Sequence, residues 1–440
     1  MSEWKKVKIG EIFKIEKGSL QSSKCISGKY DFITAATDWK THESYSHDCE
    51  AIVYAVAASG SLGRAHYVKG KFIASDLCFI LTEKNKEKYP INFLFYQLVF
   101  EVLRDEIVSK TKTGTSKESI NQKNFSNYEI PYIPYDYQMN NYKKLVDTKK
   151  TVIKILKEIE SQKAYAKQLR QNILQEAIEG KLTEEWRKEN PVVKGNPNFD
   201  AEALFEKIQE EKCHTDSELL RNSKKKVFES ISENEQPFEI PEGWKWVRLG
   251  EIVENITSGS REWARYYSDT GAIFLRMGNL SRESYVLRLD NIQHVRVPES
   301  SEGKRTRLLP FDLLFSITAE IGNLGLIPKD FPEAYINQHT ARIRFAQLVK
   351  QSLYFANALL APGIRKLYLP NAHGMKNSFR LDTLSFIHLP LPPLAEQKEI
   401  VSRVETHLAN VTELEKQITE REEMTKQLMQ SIMKDAFREV

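Results

Sequence analysis

Arginine, asparagine, lysine and aromatic residues gathered on short polar stretches are the side chains of this 440-residue chain best suited to do chemistry. The densest run is Ser260-Arg261-Glu262-Trp263-Ala264-Arg265-Tyr266-Tyr267. Arg276 and Asn279 follow, then Lys304-Arg305-Thr306-Arg307, then His373-Gly374-Met375-Lys376-Asn377. Nearer the start lie Ser19, Gln21-Ser22-Ser23-Lys24, Asp38-Trp39-Lys40, Arg64, and Lys110 to Lys117 with Lys112 and Thr113 inside it. The arginine fork matches the two acceptors on the edge of guanine, the asparagine amide matches adenine, and Lys, Ser and Thr reach phosphates. Taken singly, each cluster reads more readily as a solvated loop, and Arg276 or Arg307 as half of an ion pair. The clusters gain weight because they fall on predicted loops in two separate parts of the chain. The candidate contacts are thus Ser19, Lys24, Trp39, Lys40, Arg64, Lys112, Thr113 and Lys117 in the first part, and Arg261, Arg265, Arg276, Asn279, Lys304, Arg305, Arg307 and Lys376 in the second.

Other chemistries lack their residues. There is no GxxxxGK[ST] loop to cradle nucleotide phosphates and no GxGxxG after a strand. Leu391 precedes Pro392-Pro393, where an adenine methyltransferase places Asp or Asn to hold the target amino group. His42 and His47 are five residues apart, roughly 140° round a helix, so they miss the zinc spacing. Asp48 and Cys49 could still complete a loop site, but surface or core polar residues are the plainer reading. No catalytic residue and no metal ligand is assigned. The net charge of +4 confines any nucleic-acid surface to local patches. No apolar run nears the roughly 18 residues of a membrane span, and Met1-Ser2-Glu3-Trp4-Lys5-Lys6 has no apolar signal core. Cys25, Cys49, Cys78 and Cys213 form no CxxC pair and read as reduced thiols in a cytoplasmic protein.

The elements that must position these loops occur twice. Trp4-Lys5-Lys6-Val7-Lys8-Ile9-Gly10-Glu11-Ile12 returns as Trp244-Lys245-Trp246-Val247-Arg248-Leu249-Gly250-Glu251-Ile252, and Gly18-Ser19 as Gly259-Ser260. A proline-led stretch from Pro134 to Ala177 returns as Pro393 to Ala436, offset by 259 residues at both ends. Within it Leu145, Val152, Ile155, Ile159, Ala166, Leu169 and Ile173 alternate by three and four. Val404, Val411, Leu414, Ile418, Thr425, Leu428 and Ile432 do the same. This is the seam of a coiled coil, broken at matched places by Thr148, Gln162, Glu176 and by His407, Arg421, Asp435. Each stripe is too narrow to be buried alone, so the two helices are expected to pack on each other. Strands are expected at Asp31 to Thr34, Ala51 to Tyr54 and Leu77 to Leu81, and again at Ile273 to Arg276, Leu313 to Ser316 and Thr340 to Phe345. The expected organisation is a mixed domain over 1–134, a helix region over 135–189 with Gly180 as a weak spot or local end, a polar linker over 190–240, a second mixed domain over 241–392 and a second helix over 393–440. The linker, with Lys224-Lys225-Lys226, should hold little fixed structure beyond a short helix near Ala201 to Lys212.

This order resembles the DNA specificity subunit of type I restriction–modification systems. The residues that carry the likeness are Trp244 to Ile252, Leu389-Pro390-Leu391-Pro392-Pro393-Leu394-Ala395-Glu396-Gln397 and Gln427-Leu428-Met429-Gln430-Ser431-Ile432; at the first helix Tyr135-Asp136-Tyr137-Gln138 departs from the pattern. The resemblance implies an α+β protein with two target-recognition domains, set apart by two long antiparallel helices in a coiled coil, as a pseudo-twofold repeat. It implies double-stranded DNA read as a split target. Two methyltransferase subunits and restriction or motor subunits would be partners, bringing S-adenosylmethionine, ATP and Mg; this chain would hold no cofactor. The competing reading is a coiled-coil protein scaffold without DNA specificity.

Overall fold

A computed structural model describes residues 4–57, 60–114, 118–219, 228–229, 231–261, 263–297, 306–369 and 379–435. The chain forms two compact units, residues 1–162 with 417–440, and residues 163–416.

The first unit opens with β1 (Lys6–Lys8), the one-turn helix α1 (Ile9–Ile12) and β2 (Phe13–Lys17). With β3 (Tyr30–Ile33), β4 (Lys40–His42), β5 (His47–Ala55), β6 (Ala65–Ala74) and β7 (Cys78–Glu83), β2 builds a six-stranded sheet in the order β2-β7-β5-β6-β3-β4. Only the β3–β6 pairing is parallel. Alternate residues go to opposite faces, as strand geometry demands. Ile52, Tyr54, Phe79 and Leu81 join a core with Phe95, Tyr96, Val99 and Phe100 of α2 (Phe93–Val102) and Phe125, while Ala51, Val53, Ala55, Cys78 and Ile80 fill the other face. After α2 come α3 (Arg104–Thr111), the paired strands β8 (Lys112–Thr113) and β9 (Ser119–Ile120), α4 (Gln122–Asn127), and β10 (Glu129–Pro131), which returns to pair with β1.

β10 leads through Pro131 and Pro134 into α5 (Tyr135–Ile178). The helix ends at Ile178, inside the expected helix region of 135–189, because Gly180 takes the left-handed conformation (φ 70°), the usual way to end a helix. A short helix, α6 (Glu184–Glu189), follows.

Residues 190–219 of the expected linker belong to the second unit, and the short helix expected there is present and longer than expected. α7 (Ala201–Leu219) buries Ala201, Leu204 and Ile208, a one-sided stripe on an otherwise charged helix. Gln209 and Lys212 donate to the carbonyls of Gly250 and Glu251. Lys224 to Lys226 lie outside the described residues.

The second mixed domain repeats the first with one break. β11 (Lys245–Arg248), α8 (Leu249–Ile252) and β12 (Val253–Ser258) restate the opening. Then come β13 (Tyr267–Ser268), β14 (Ala272–Leu275), β15 (Gln293–Val295), β16 (Leu313–Ser316), β17 (Leu324–Leu326), β18 (Ala334–Ile336) and β19 (Thr340–Phe345). They form two four-stranded sheets, β12-β19-β16-β17 and β13-β15-β14-β18. Laid beside the first domain, β17 and β18 together stand where β6 stands, and the parallel β14–β18 pair matches the parallel β3–β6 pair. Between β17 and β18 run Pro328 and Pro332. Neither can donate a ladder hydrogen bond, and proline is excluded from the middle of a sheet, so one long strand becomes two. Leu275, Leu314, Ile327 and Ile336 fill the core between the parts. Helices α9 (Tyr354–Leu360), α10 (Pro362–Tyr368) and α11 (Leu381–Ser385) follow, and β20 (His388–Leu391) pairs with β11 and leads into α12 (Leu394–Asp435).

The long helices, of 44 and 42 residues, run antiparallel within each unit. In the first, Leu145 shares a core with Met429 and Ile432. In the second, Arg170 bonds Thr412 and Glu415. The seam is narrower than expected. Leu145, Val152, Ile159, Ala166 and Ile173 are buried on α5, and Val404, Val411, Ile418 and Thr425 on α12, one residue every seven. Ile155 and Ile432 are half-buried. Leu169, Leu414 and Leu428, expected in the seam, are 44%, 42% and 57% exposed. The intervening positions carry Gln162, Glu176, Arg421 and other polar groups, so that second stripe gains too little by burial and flanks the contact instead.

Candidate nucleic-acid interface

The buried residues that fix the loops come before those that can touch a ligand. Gly18 and Gly259 are crossing points. A Cβ on Gly18 would stand 2.0 Å from the Ser75 carbonyl, and one on Gly259 2.0 Å from that of Ile336. Only glycine permits this approach, and it explains the repeated Gly-Ser pair. Ser19 follows Gly18 and is exposed, its N–H donating to the Ala74 carbonyl at 3.1 Å. Lys24 ends a short 3-10 turn and Lys40 begins β4, both exposed.

Trp39 is partly exposed, and its indole N–H points to Nδ1 of His66 at 3.4 Å. Burial holds His66 below its ordinary pKa, so its neutral ring can accept that proton. Arg64 turns inward, donating to the Ala35 carbonyl at 2.8 Å and Ser61 Oγ at 3.3 Å. Two expected contacts of the first domain are therefore loop braces in part. Lys112 pairs with Glu118 at 2.7 Å, and Thr113 is exposed beside it. Lys117 lies outside the described residues.

In the second domain Trp263 is 5% exposed and packs on Phe274 and Tyr335, at ring separations of 5.1 and 5.3 Å. It anchors the run that carries Arg261 and Arg265, both exposed. Arg265 lies over the Tyr266 ring and lines a cleft of about 540 Å³ with Tyr267, Asp269, Gln293 and Arg296. Arg307 is exposed, with Glu333 3.9 Å away. Lys304, Arg305 and Lys376 lie outside the described residues.

Arg276 and Asn279, three residues apart, have opposite fates. Asn279 is 3% exposed and satisfied within the chain. Its Oδ1 accepts the Arg276 N–H at 2.9 Å, and its Nδ2 donates to the carbonyls of Arg288 (2.8 Å) and Asn291 (3.1 Å). Asn279 is thus a latch and not the adenine reader its residue type suggested. Arg276 is half-buried and lines a cleft of about 440 Å³ with Met277, Arg288, Asp290, Asn291 and Asn337. Arg288, Arg296, Asp290 and Asn291 were not among the expected contacts; their only signal in sequence was proximity to a short strand flanked by polar residues.

His42 is a core residue, with Nδ1 accepting the Ile26 N–H at 3.1 Å. His47 stacks on Phe72 and faces Glu16. Among the described residues no group of three His, Cys, Asp or Glu side chains comes together to hold a metal, and no helix is long and apolar enough to cross a membrane.

Residues 1–164 and 241–423 match the type I restriction modification DNA specificity domain. The EcoDI specificity subunit of Escherichia coli is 24% identical over 459 aligned positions, covering 99% of this chain and 88% of that one. The EcoAI specificity subunit of the same organism is 28% identical over 250 residues, 54% of this chain; the matched stretch spans only 39% of that relative. Among solved structures, the HsdS subunit from Thermoanaerobacter tengcongensis is similar over 99% of this chain and 97% of that one, with a TM-score of 0.53 and 17% identity. A chain from a structure describing complex assembly and conformational transition of the type I R-M system has a TM-score of 0.63 and 16% identity, covering 100% of this chain and 98% of that one. Matched in sequence over most of its length and in fold over the whole of it, the chain belongs to the DNA specificity family of type I restriction–modification systems.

Proposed function

We propose that this chain reads a split double-stranded DNA target, one part with each recognition domain, and carries two methyltransferase subunits to it. The observation that bears most weight is a repeated exposed pair. Tyr165 and Leu169 on α5 are 69% and 44% exposed; Met424 and Leu428, 259 residues on, are 68% and 57% exposed. Large apolar side chains one helical turn apart and open to water mark a protein contact. Their recurrence at equivalent positions suits two copies of one partner.

Chemistry in such an assembly belongs to the partners. S-adenosylmethionine would serve methylation of adenine N6, with ATP and Mg serving restriction or motor subunits in a cytoplasmic complex. This chain contributes selection of the site. Basic residues on the loops of both domains would hold DNA partly through phosphates, which makes affinity fall steeply with salt.

The test is reconstitution with the methyltransferase from the same source. Native mass measurement should give two methyltransferases per chain, and filter binding should give sequence-dependent affinity with a steep salt slope. A one-to-one complex would count against the paired docking sites. Tight methyltransferase binding with no DNA selectivity would favour the scaffold reading.

A further inference from the structure

Within the reading above, one cleft can be assigned a ligand more closely. β14 lies between β15 and β18. Arg276 directly follows β14, Asn337 directly follows β18, and Asn291 lies two residues before β15. β14 is parallel to β18 and antiparallel to β15, so these three residues emerge at the same edge of the small sheet. They line one cleft with Arg288 and Asp290.

The cleft is built and not incidental. Buried Asn279 ties its walls together through Arg276, Arg288 and Asn291, and the Arg288 N–H returns a bond to the Asn279 carbonyl at 2.8 Å. Arg276 is steered by Asn291, Nη2 donating to Oδ1 at 3.4 Å. Arg288 leans on Ser281 Oγ at 3.3 Å. Elsewhere in this domain the Arg344 guanidinium is committed to Asp312 at 2.7 Å. Among the described residues no ion pair engages Arg276, Arg288 or Asp290, although both signs of charge line the same cleft. Two cationic forks and a carboxylate kept apart are complementary to a ligand that offers acceptors and a donor side by side.

A phosphate offers acceptors only and would be repelled by Asp290. A G·C base pair offers the N7 and O6 acceptors of guanine next to the N4 amino donor of cytosine, all in the major groove. We infer that this cleft reads one G·C pair of the target, with Arg276 on the guanine edge and Asp290 accepting from the cytosine amino group. Asn291 holds the fork in place, Arg288 adds a second cation to the cleft, and Asn279 is the positioning residue behind them. The inference rests on the DNA-reading function proposed above.

Methylome sequencing of cells carrying the chain and its methyltransferase tests it. The wild-type motif should contain an invariant G·C position in one part. Arg276→Ala should lose discrimination at that position by roughly 5- to 150-fold, the factor expected for one lost bidentate pair, while the other part of the motif stays unchanged. Asp290→Asn, on an exposed side chain, should relax the same position and guards against a folding defect in the arginine variant. An unchanged motif in both variants overturns the assignment. So does a uniform loss across all sites with a shallower salt slope, which is the behaviour of a phosphate contact. Wild-type methylation without any motif would instead sink the DNA-reading function, and this assignment with it.

Discussion

The two long helices begin in matched places and are held differently. α12 starts Leu394-Ala395-Glu396-Gln397. The N–H groups of Leu394 and Ala395 donate to the carbonyls of Pro197 and Asn198. Glu396 is 1% exposed and takes hydrogen bonds from Thr183, Arg187 and the Trp244 indole, at 2.7, 2.5 and 2.7 Å. Arg403 adds a bond to the Leu182 carbonyl at 2.7 Å. The stretch that leaves α5 therefore covers the start of α12. α5 itself starts Tyr135-Asp136-Tyr137-Gln138. Tyr137 stands where Glu396 stands, and it meets Trp4, the counterpart of Trp244, edge to face at 5.5 Å. Tyr135, Tyr137 and Met139 are exposed there. One start is sealed by a buried carboxylate; the other is capped by aromatic rings open to water.

The shared residue between them is glutamine. Gln138 and Gln397 each donate from Nε2 to the carbonyl five residues back, Ile133 at 2.7 Å and Pro392 at 2.8 Å. This clamps the proline lead onto the first turn, and it accounts for a glutamine at both places while its neighbours diverge. The common clamp sets the direction in which each helix departs, and the divergent neighbour sets how firmly it is covered.

Several experiments would break or sharpen this contrast. The largest effect is expected from Glu396→Ala. Removing one partner of a buried charge pair costs about 3–5 kcal/mol, so hydrogen exchange should report loosening of β11 and α8 in the second unit, while Tyr137→Ala should cost about 1 kcal/mol or less. The seam comes next. Ile159→Ala and Ile418→Ala should each lower unfolding stability by about 2–5 kcal/mol in denaturant titrations. Exposed Leu414→Ala should change it by no more than about 0.5 kcal/mol. An equal cost at Leu414 would restore the wider seam that the heptads suggested. The glutamines should then separate: Gln138 has further bonds to Asn92 and Pro90, so Gln138→Ala should cost about 1–3 kcal/mol and Gln397→Ala about 1 kcal/mol. The smallest effect belongs to surface lysines. Lys24→Ala should leave stability unchanged and lower the salt slope of DNA binding by about one. No change in slope would remove Lys24 from the DNA surface.

What was legible in sequence follows the same division. The lead strands, the proline run and the helix register could be read because each recurs in the second half of the chain, the helix at a constant offset of 259 residues, and because burial every seven residues leaves a periodic trace. The exposure of Leu169, Leu414 and Leu428 could not be read, since a stripe half polar and half apolar is consistent with either side of a seam. The short helix expected near Ala201 to Lys212 is present and runs on to Leu219; its charge hid only how firmly it packs, since Ala201, Ala203, Leu204 and Ile208 are buried where a neighbouring domain supplies the other wall. The split of one strand into β17 and β18 was written in Pro328 and Pro332, yet it means something only beside the unbroken β6. For the candidate interface, residue type alone misled at Asn279 and left out the bracing role of Arg64. An amide or guanidinium suited to a base is equally suited to a backbone carbonyl, and only the fold tells which it meets.

Gly180 has a bearing on how such proteins could be rebuilt. Because the turn it makes sends residues 181–200 over the start of α12, the natural place to graft a foreign recognition module is that glycine and not the charged stretch near residue 220. A chimera joined after Ile178 would bring its own cover for the following helix. One joined near residue 220 would inherit a mismatched lid, and should express as a poorly soluble chain however well its two halves are chosen.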